Sequence, residues 1–292
     1  MILLTGASGT LGKEVAKQLA KEQKKFKCIV RQTSNVEELE EMGATLCYGD
    51  IGDRDSLKQV MEGVTGVIST HTQGISKKDV SVWDIDYQGN KDLIELLVEN
   101  GGGKFVFISS LSVSLDSPYI LFTIKCMIEN MLALSGLDYT VFRLAGFFSD
   151  FTMSAKMVKK YHIYPAIGGK DHPLQAIYQG DIAFCAVDSL SNPKASNQIF
   201  PIGGPEQLTS ADIAAYYAEF LGHSVRIVPV PAAIPKTIAK VVDAFTDNRY
   251  NIYGMADAFT KVNVSDNKKL LDTFDIELQT FEPYLKEFLE KN

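Results

Sequence analysis

A glycine-rich segment near the start of the chain constrains its fold more than any other feature. Residues 5–12 read TGASGTLG and directly follow the apolar residues 2–4. Leu11, Val15 and Leu19 then recur at helical spacing, with charged residues between them. A strand, a tight glycine turn and an amphipathic helix in this order predict a dinucleotide-binding turn. The amides at the start of such a helix face a pyrophosphate.

The three glycines of this turn have separate predicted roles. Gly6 permits a sharp turn out of the strand, Gly9 leaves room for the pyrophosphate, and Gly12 lets the helix pack closely on the sheet. The alternative is a tight strand-to-helix link that binds nothing. The residues of the turn predicted to contact the cofactor are Gly6, Ser8, Gly9, Thr10, Leu11 and Gly12.

The residue after the second predicted strand indicates which dinucleotide is preferred. Residues 27–30 form this strand, and Arg31 stands where an Asp or Glu would accept hydrogen bonds from an NAD ribose. A guanidinium can instead pair with a 2′-phosphate, and Thr33 and Ser34 offer further hydroxyl donors. The sequence therefore favours NADP(H) over NAD(H). The alternative is a solvated arginine at a strand end.

Apolar strands alternate with helical patterns through the first half of the chain, which is typical of a parallel sheet with helices on both faces. We therefore predict an α/β fold, a Rossmann-type doubly wound parallel sheet with a smaller, interwoven C-terminal substrate lobe. Further strands are predicted at 44–48, 66–70, 104–109, 138–144 and 198–202, and helices at 53–61, 86–99, 119–135 and 181–190.

The pattern becomes less regular after Arg143, which suggests where the domains divide. We predict an NAD(P)-binding Rossmann domain at residues 1–150 and a lobe that holds a substrate or partner at 151–292. Within the second range, residues 176–203 are expected to return to the Rossmann sheet. The chain of 292 residues is long enough for this arrangement.

Composition excludes several other classes of protein. Lys and Arg number 29 against 36 Asp and Glu, a net charge of -7, which argues against a nucleic-acid surface. No charge-free apolar stretch reaches the roughly 18 residues of a membrane span, and no signal peptide is recognisable. The four cysteines are isolated and lack zinc-site spacing, so we predict no metal site. Reduced thiols favour the cytoplasm or a reducing organelle stroma.

Several motifs together resemble a known superfamily. They occur in the order seen in atypical short-chain dehydrogenases/reductases, and they are TGASGTLG, GDIGDRDSL, DYQGNKDLIELL, FVFISSLSV, SGLDYTVFRLAGFF and QGDIAFCAV. The chain is similar to the branch that holds NmrA-like regulators, isoflavone reductases and photosystem II assembly factors. Short segments of the C-terminal half are most similar to the assembly-factor group. They are SGLDYTVFRLAGF, NQIFPIGG, and RYNIYGMADAF followed by LEKN.

The resemblance implies further cofactor contacts. Asp50 and Ile51 would flank the adenine, although the alternative is a turn Asp and a core Ile. Thr70 and His71 end the fourth strand, where the cofactor passes over the chain in this superfamily; a lone His is otherwise most often structural. Phe147 would line the nicotinamide pocket, or belong to the core of the lobe.

The catalytic signature of the superfamily is incomplete. Ordinary members use a YxxxK pair, in which Tyr donates a proton and Lys holds the nicotinamide ribose. By resemblance Lys125 matches the lysine, but Leu121 stands at the tyrosine position. Tyr119 lies six residues before Lys125, so a regular helix would place it on another face, unless the helix begins after Tyr119 and the side chain swings back. Lys125 is expected to hold the cofactor or move a proton through water; the alternative is a surface ion pair with Glu129.

A serine after the fifth strand is the second predicted catalytic residue. By resemblance Ser110 would polarise a substrate carbonyl, with Ser112 as a second possibility. Either hydroxyl could instead satisfy loop backbone.

Two functions of different classes follow. The first is an NAD(P)H-dependent oxidoreductase that reduces a small hydrophobic substrate, quinone-like or aromatic. The second is a non-catalytic NADP(H)-binding regulatory or assembly-factor protein that holds a protein partner. Lys125 favours the first and Leu121 the second. A sugar epimerase or dehydratase is a weaker third option, because that chemistry depends on the missing tyrosine.

Overall fold

A parallel sheet of seven strands lies at the centre of the protein. The computed structural model describes residues 1–73, 81–231, 233–245, 254, 256–257 and 264–291. The strands are β1 (Ile2–Thr5), β2 (Phe26–Val30), β3 (Thr45–Tyr48), β4 (Gly66–Ser69), β5 (Lys104–Ser110), β6 (Asp138–Leu144), β7 (Ile163–Ile167), β8 (Pro173–Leu174), β9 (Gln198–Ile202), β10 (Leu208–Thr209) and β11 (Arg226–Val230). The central sheet has the order β3-β2-β1-β4-β5-β6-β9, and all its pairs are parallel.

Helices cover both faces of this sheet. They are α1 (Thr10–Lys21), α2 (Glu37–Glu41), α3 (Arg54–Met61), α4 (Gly89–Glu99), α5 (Ile120–Leu134), α6 (Phe148–Thr152), α7 (Ala155–Tyr161), α8 (Gln179–Asp188), α9 (Ser210–Leu221), α10 (Ala233–Phe245), α11 (Lys268–Thr273) and α12 (Phe281–Lys291). Alternate strand residues point to opposite faces. Leu4 therefore packs with α1 and α8, whereas Leu3 packs with α3, α4 and α5. The predicted α/β, doubly wound class is confirmed.

The start of the predicted helix 86–99 is not a regular α-helix. Residues Trp83–Gln88 form a π-helical turn that leads into α4. The Asn90 side chain donates to the Asp86 carbonyl at 2.7 Å, the acceptor that an α-helix would reserve for the Asn90 amide. The predicted range is helical throughout, and the π-helical turn at its start is a detail that apolar periodicity does not show.

A separate apolar core forms the smaller lobe. It includes Phe148, Tyr164, Tyr217 and Phe281, and contains residues from α6, α7, α9 and α12. Two small sheets accompany it, a parallel pair of β7 with β11 and an antiparallel pair of β8 with β10. Between the lobe's segments, α8 packs on α1 and β9 joins the central sheet beside β6. The domain limits at residue 150 remain a prediction.

The connections place a crevice at the carboxyl ends of β1 and β4. After β1 the chain crosses to β2 on one side, and it later returns to β4 on the other. Ligands bind open α/β sheets at such a switch point. Within the described residues, no helix is both long and apolar enough to cross a membrane. The same residues contain no group of three or more His, Cys, Asp or Glu side chains that could hold a metal.

Candidate functional site

A cleft of about 470 Å³ opens at this switch point. Most of the residues predicted to bind the cofactor line it: Gly6, Ser8, Gly9, Thr10, Leu11, Gly12, Arg31, Asp50, Ile51, Thr70, His71 and Phe147. Lys125 and Ser110 are absent from this lining. Sequence reasoning missed other lining residues, which are Ile29, Val30, Gly49, Thr72, Gln73, Ile85 and Ser149. All of these except Ile85 lie within two residues of a predicted contact, and that proximity was the available signal.

The structure gives each glycine of the turn a distinct environment. Gly6 has φ +70°, and a Cβ there would lie 2.7 Å from the His71 backbone nitrogen. A Cβ on Gly12 would lie 2.1 Å from the Gly6 carbonyl oxygen, so α1 and the turn are in direct contact there. Gly9 has φ −80°, which any residue adopts, and its Cβ would approach only the Gly6 carbonyl, at 3.2 Å. Backbone strain does not require glycine at position 9, and a Cβ there would need the Gly6 carbonyl to shift by only a few tenths of an ångström.

The N-terminus of α1 suits an anionic group. Gly9 is the N-cap and offers no side chain to the first-turn amides, and no acidic residue lies in that turn. The amides of a first helical turn have no partner within the helix, and the helix dipole adds positive potential. Because the cleft contains this turn, its donors match the pyrophosphate of a dinucleotide.

The residues at the far end of the cleft combine structural and exposed groups. Arg31 is exposed directly after β2, and Ser34 lies beside it in the lining. Asp50 Oδ1 accepts from the Gly52 amide at 2.9 Å, as the turn alternative requires. Ile51 is half-buried and packs against the core below α3 and α4. Both residues also face the cleft, so the two interpretations are compatible.

His71 is held rigidly in the cleft wall. Its Nδ1 lies 2.7 Å from Thr5 Oγ1, and its Nε2 lies 3.1 Å from the Ile85 carbonyl oxygen. The carbonyl can only accept, so Nε2 carries the proton and Nδ1 accepts from the threonine. Burial lowers the pKa of His71 to about 4, which keeps the ring neutral near pH 7. Thr70 Oγ1 donates to the Thr5 carbonyl at 2.8 Å and secures the same junction.

Lys125 lies below the cleft rather than in its lining. Its Nζ donates to the Ile108 carbonyl at 2.7 Å and stands 5.1 Å from the centre of the Phe107 ring. Burial lowers the pKa of Lys125, and the carboxylates of Asp86 and Glu129 oppose that shift. The alternative of a surface ion pair is wrong, because Glu129 is itself buried and binds the Arg143 guanidinium.

The structure changes the argument about Tyr119. The helix α5 begins at Ile120, so Tyr119 is its N-cap with extended backbone and does not follow helical spacing. Burial, together with the nearby Asp86 carboxylate, raises the pKa of Tyr119 to about 12. The phenol is therefore protonated near pH 7. Helical spacing therefore does not determine where the Tyr119 side chain lies relative to Lys125.

Asp86 is a buried carboxylate that sequence reasoning missed. It lies in the π-helical turn, is 3% exposed, and accepts from the Gln73 amide at 2.9 Å. Its charge acts on Lys125, Tyr119 and His71 alike. A single Asp in a helical pattern carries no signal of this kind, because the cluster arises only when α5 packs against the π-helical turn.

Ser110 stands at the end of β5, half-buried. The hydroxyl of its neighbour Ser109 donates to the Glu129 carboxylate and so belongs to the buried ion pair. Since Ser110 is not part of the cleft lining, its catalytic role remains only a prediction.

The fold and the glycine-lined cleft together define a Rossmann-type α/β protein. The profile of the NmrA-like family matches residues 1–285, and the chain belongs to that family. The segment RYNIYGMADAF, residues 249–259, contributed to the predicted resemblance. Most of it lies outside the described residues.

Named relatives fall into two functional groups. The chain is 30% identical over 263 residues to the photosystem II assembly factor Ycf39 of Cyanophora paradoxa, covering 89% of this chain and 80% of the relative. It is 27% identical over 231 residues to an NAD(P)H azoreductase of Xenophilus azovorans, covering 79% of this chain and 77% of the relative. The fold is also similar to that of an NADPH-dependent quinone oxidoreductase of Escherichia coli, solved in complex with NADPH. The TM-score is 0.76 at 22% identity, covering 99% of this chain and 100% of the oxidoreductase.

Proposed function

We propose that this protein binds NADP(H) in the cleft and reduces a hydrophobic acceptor of the quinone-like or aromatic class. The observation that carries the proposal is the convergence of the predicted cofactor residues on one cleft. These residues come from five separate chain segments, and the cleft runs from Arg31 past the glycine turn to Phe147.

Each part of the cleft has a proposed role in holding the dinucleotide. The amides of α1 bind the pyrophosphate, and Arg31 with Ser34 binds the 2′-phosphate. Asp50 and Ile51 contact the adenine. Thr70 and His71 form the wall beneath the ribose, and Phe147 packs near the nicotinamide. The preference for NADP(H) over NAD(H) rests on Arg31.

The buried cluster below the cleft limits the chemistry. The bound reduced nicotinamide supplies a hydride, which is two electrons and one hydrogen nucleus. Lys125 holds a positive charge beside the cleft and passes a proton through water, while Asp86 stabilises that charge. Leu121 leaves the usual tyrosine position without a proton donor. Acceptors that need little acid assistance at the hydride step, such as quinones, are therefore favoured over simple ketones.

The azoreductase and quinone oxidoreductase named above support this class of acceptor, since their names give azo compounds and quinones as what they reduce. The assembly-factor relative favours a second candidate function. In that case the chain binds NADP(H) without turnover and holds a protein partner. The proposed compartment is the cytoplasm or a reducing organelle stroma.

Spectrophotometric NADPH oxidation tests the reductase proposal. We expect turnover with quinones and very slow turnover with simple alcohols and ketones. Lys125→Ala should lower quinone turnover, but by no more than about 100-fold, the lower limit for loss of a proton-transfer group, because quinones need little acid assistance. Lys156→Ala, an exposed lysine of α7, is the matched control.

Two outcomes contradict the proposal. Rapid reduction of ordinary ketones that does not depend on Lys125 would refute the mechanism. Failure of every acceptor to oxidise bound NADPH, together with a stable protein partner on pull-down, would instead support the scaffold function.

A further inference from the structure

Ser149 lies in the cleft lining beside Phe147 and was assigned no role by the sequence. Its backbone is held firmly. The Phe148 amide donates to the Ile177 carbonyl at 3.1 Å, and the Ile177 amide donates to the Gly146 carbonyl at 3.0 Å. Asp150 Oδ2 also accepts from the Phe147 amide at 2.9 Å. The start of α6 is therefore fixed against a neighbouring segment, and Ser149 has a defined position at this end of the cleft.

The hydroxyl of Ser149 has a directed hydrogen bond. Gln179 Nε2, at the start of α8, donates to Ser149 Oγ at 2.7 Å. An amide nitrogen only donates, so the serine oxygen is the acceptor here. The hydroxyl hydrogen then needs an acceptor of its own, and none is recorded for it within the described part of the chain. Because Ser149 faces the cleft, a bound molecule can supply that acceptor.

Gln179 is built into the wall and has little freedom to turn. Its side chain is 2% exposed, and its Oε1 is buried without a hydrogen-bond partner among the described residues. The same residue lines a second cavity of about 240 Å³, which Thr10 of the glycine turn also lines. Burial of an unpaired amide oxygen is unfavourable, and a ligand or water with an N–H or O–H group would relieve it.

Resting on the proposed reductase function, we propose that Ser149 donates a hydrogen bond to the acceptor oxygen of the substrate, with Gln179 as the positioning residue that directs its hydroxyl. Ser149 thereby takes the role that the family resemblance implied for Ser110. During reduction of a quinone, the substrate gains the hydride and one proton from water and becomes a hydroquinone. The cofactor is oxidised, and the serine is unchanged. Its hydrogen bond stabilises negative charge as it develops on the oxygen.

The first test removes the donor and measures reduction of 1,4-naphthoquinone by NADPH. Ser149→Ala should lower kcat by about 100-fold, the lower end of the range for loss of one oxyanion donor. Ser149→Thr keeps a hydroxyl and should restore most of the rate. NADPH affinity should stay within about twofold for both variants. Ser191→Ala, an exposed serine after α8, is the matched control.

The second test reverses the direction of the bond. In Gln179→Glu at pH 8, the carboxylate accepts the serine hydrogen and turns it away from the cleft, so kcat should fall as in Ser149→Ala. In the Ser149→Ala background the same change should have no further effect, which a merely structural role would not produce. If Gln179→Glu does not fold, Gln179→Met provides the comparison, with a smaller loss expected because the hydroxyl is left undirected.

Binding separates this inference from the reductase proposal. Calorimetry of 1,4-naphthoquinone with the NADP⁺-loaded protein should show about tenfold weaker binding for Ser149→Ala, which would support the inference even if no turnover occurs. Unchanged kcat and unchanged quinone affinity in Ser149→Ala would overturn the inference and leave the reductase function intact. Failure of the unsubstituted protein both to bind and to reduce quinones would overturn both.

Discussion

The three glycine positions of the turn between β1 and α1 differ in how strongly they exclude a side chain. The positive φ of Gly6 and its contact with the end of β4 both require glycine, and the contact of Gly12 with the Gly6 carbonyl permits no Cβ. Gly9 has ordinary extended backbone, and a Cβ there would meet only the Gly6 carbonyl oxygen, at 3.2 Å. Of the three glycines it has the weakest structural requirement, which is what a site for a bound group predicts.

We therefore expect Gly9→Val to fold and to lose NADPH binding. Its φ and ψ suit a β-branched residue, whereas the new methyl groups would occupy the approach of the pyrophosphate. Calorimetric titration should show affinity reduced by more than about 100-fold, and circular dichroism should show intact structure. Gly12→Ala is the contrasting variant and should lose stability. Normal NADPH binding by folded Gly9→Val would mean that the phosphates lie elsewhere.

Arg31 decides the predicted choice between the two cofactors. We expect NADPH to bind more tightly than NADH, and Arg31→Asp to abolish or reverse the preference. One charge-assisted contact with the 2′-phosphate contributes about 1.5 to 3 kcal/mol. Titration of both cofactors against both proteins measures this, with Arg226→Asp, an exposed arginine of β11, as control. Equal affinities in the unsubstituted protein would contradict the assignment.

Among the elements, α5 is held to the sheet by one buried ion pair. The Glu129 carboxylate on α5 is 4% exposed and accepts from Arg143 of β6 and from Ser109 of β5. About a third of the Arg143 side chain is exposed to solvent. Replacing both residues of such a pair costs less stability than replacing one, because a single replacement leaves an isolated buried charge.

Arg143→Met should therefore lower the free energy of unfolding by about 2 to 3 kcal/mol, below the range for a fully buried pair because the arginine is partly solvated. Adding Glu129→Gln in the same chain should recover most of that loss. Urea denaturation of the single and double variants measures both quantities. A double variant as unstable as Arg143→Met would show that the buried charge is not the cause.

At the scale of the whole molecule, His71 connects the two halves of the sheet to the helices below. It links β1 through Thr5 with the π-helical turn through Ile85. Its folded pKa of about 4 lies below the ordinary histidine value of about 6.5. Between these values the unfolded chain binds more protons, so this contribution to stability is present at pH 7 and is lost as the pH falls from about 6.5 to 4.

We expect the stability difference between the unsubstituted protein and His71→Gln to be smaller at pH 4.5 than at pH 7, by about 2 kcal/mol. Comparing the two proteins is necessary because burial raises the pKa of Asp181 to about 6, and that carboxyl group acts in the opposite direction over the same range. Urea titrations at the two pH values provide the measurement, with the half-buried His223→Gln, away from the cleft lining, as control. An equal difference at both pH values would contradict a neutral buried ring.

Most of the sheet and most of the cleft could be predicted from the sequence. Strands β1, β2, β4, β5, β6 and β9 agree with their predicted ranges within one residue, because apolar runs and glycine turns are local signals. The cleft followed from them, since parallel strands bring their carboxyl ends to one edge. The helical range 86–99 was also predicted, but not its π-helical first turn, where the Asn90 side chain donates to the Asp86 carbonyl.

The sequence by itself determined the Rossmann sheet and the phosphate-binding turn, because both arise from short segments whose backbone and apolar pattern are self-sufficient. Only the tertiary structure decided the surroundings of the reactive groups. Lys125 is held by the Ile108 carbonyl, and Ser149 is held by Gln179 thirty residues further along the chain. Such partners meet through helix-on-sheet packing, and burial then sets their charge and direction. Neither spacing nor composition records those contacts.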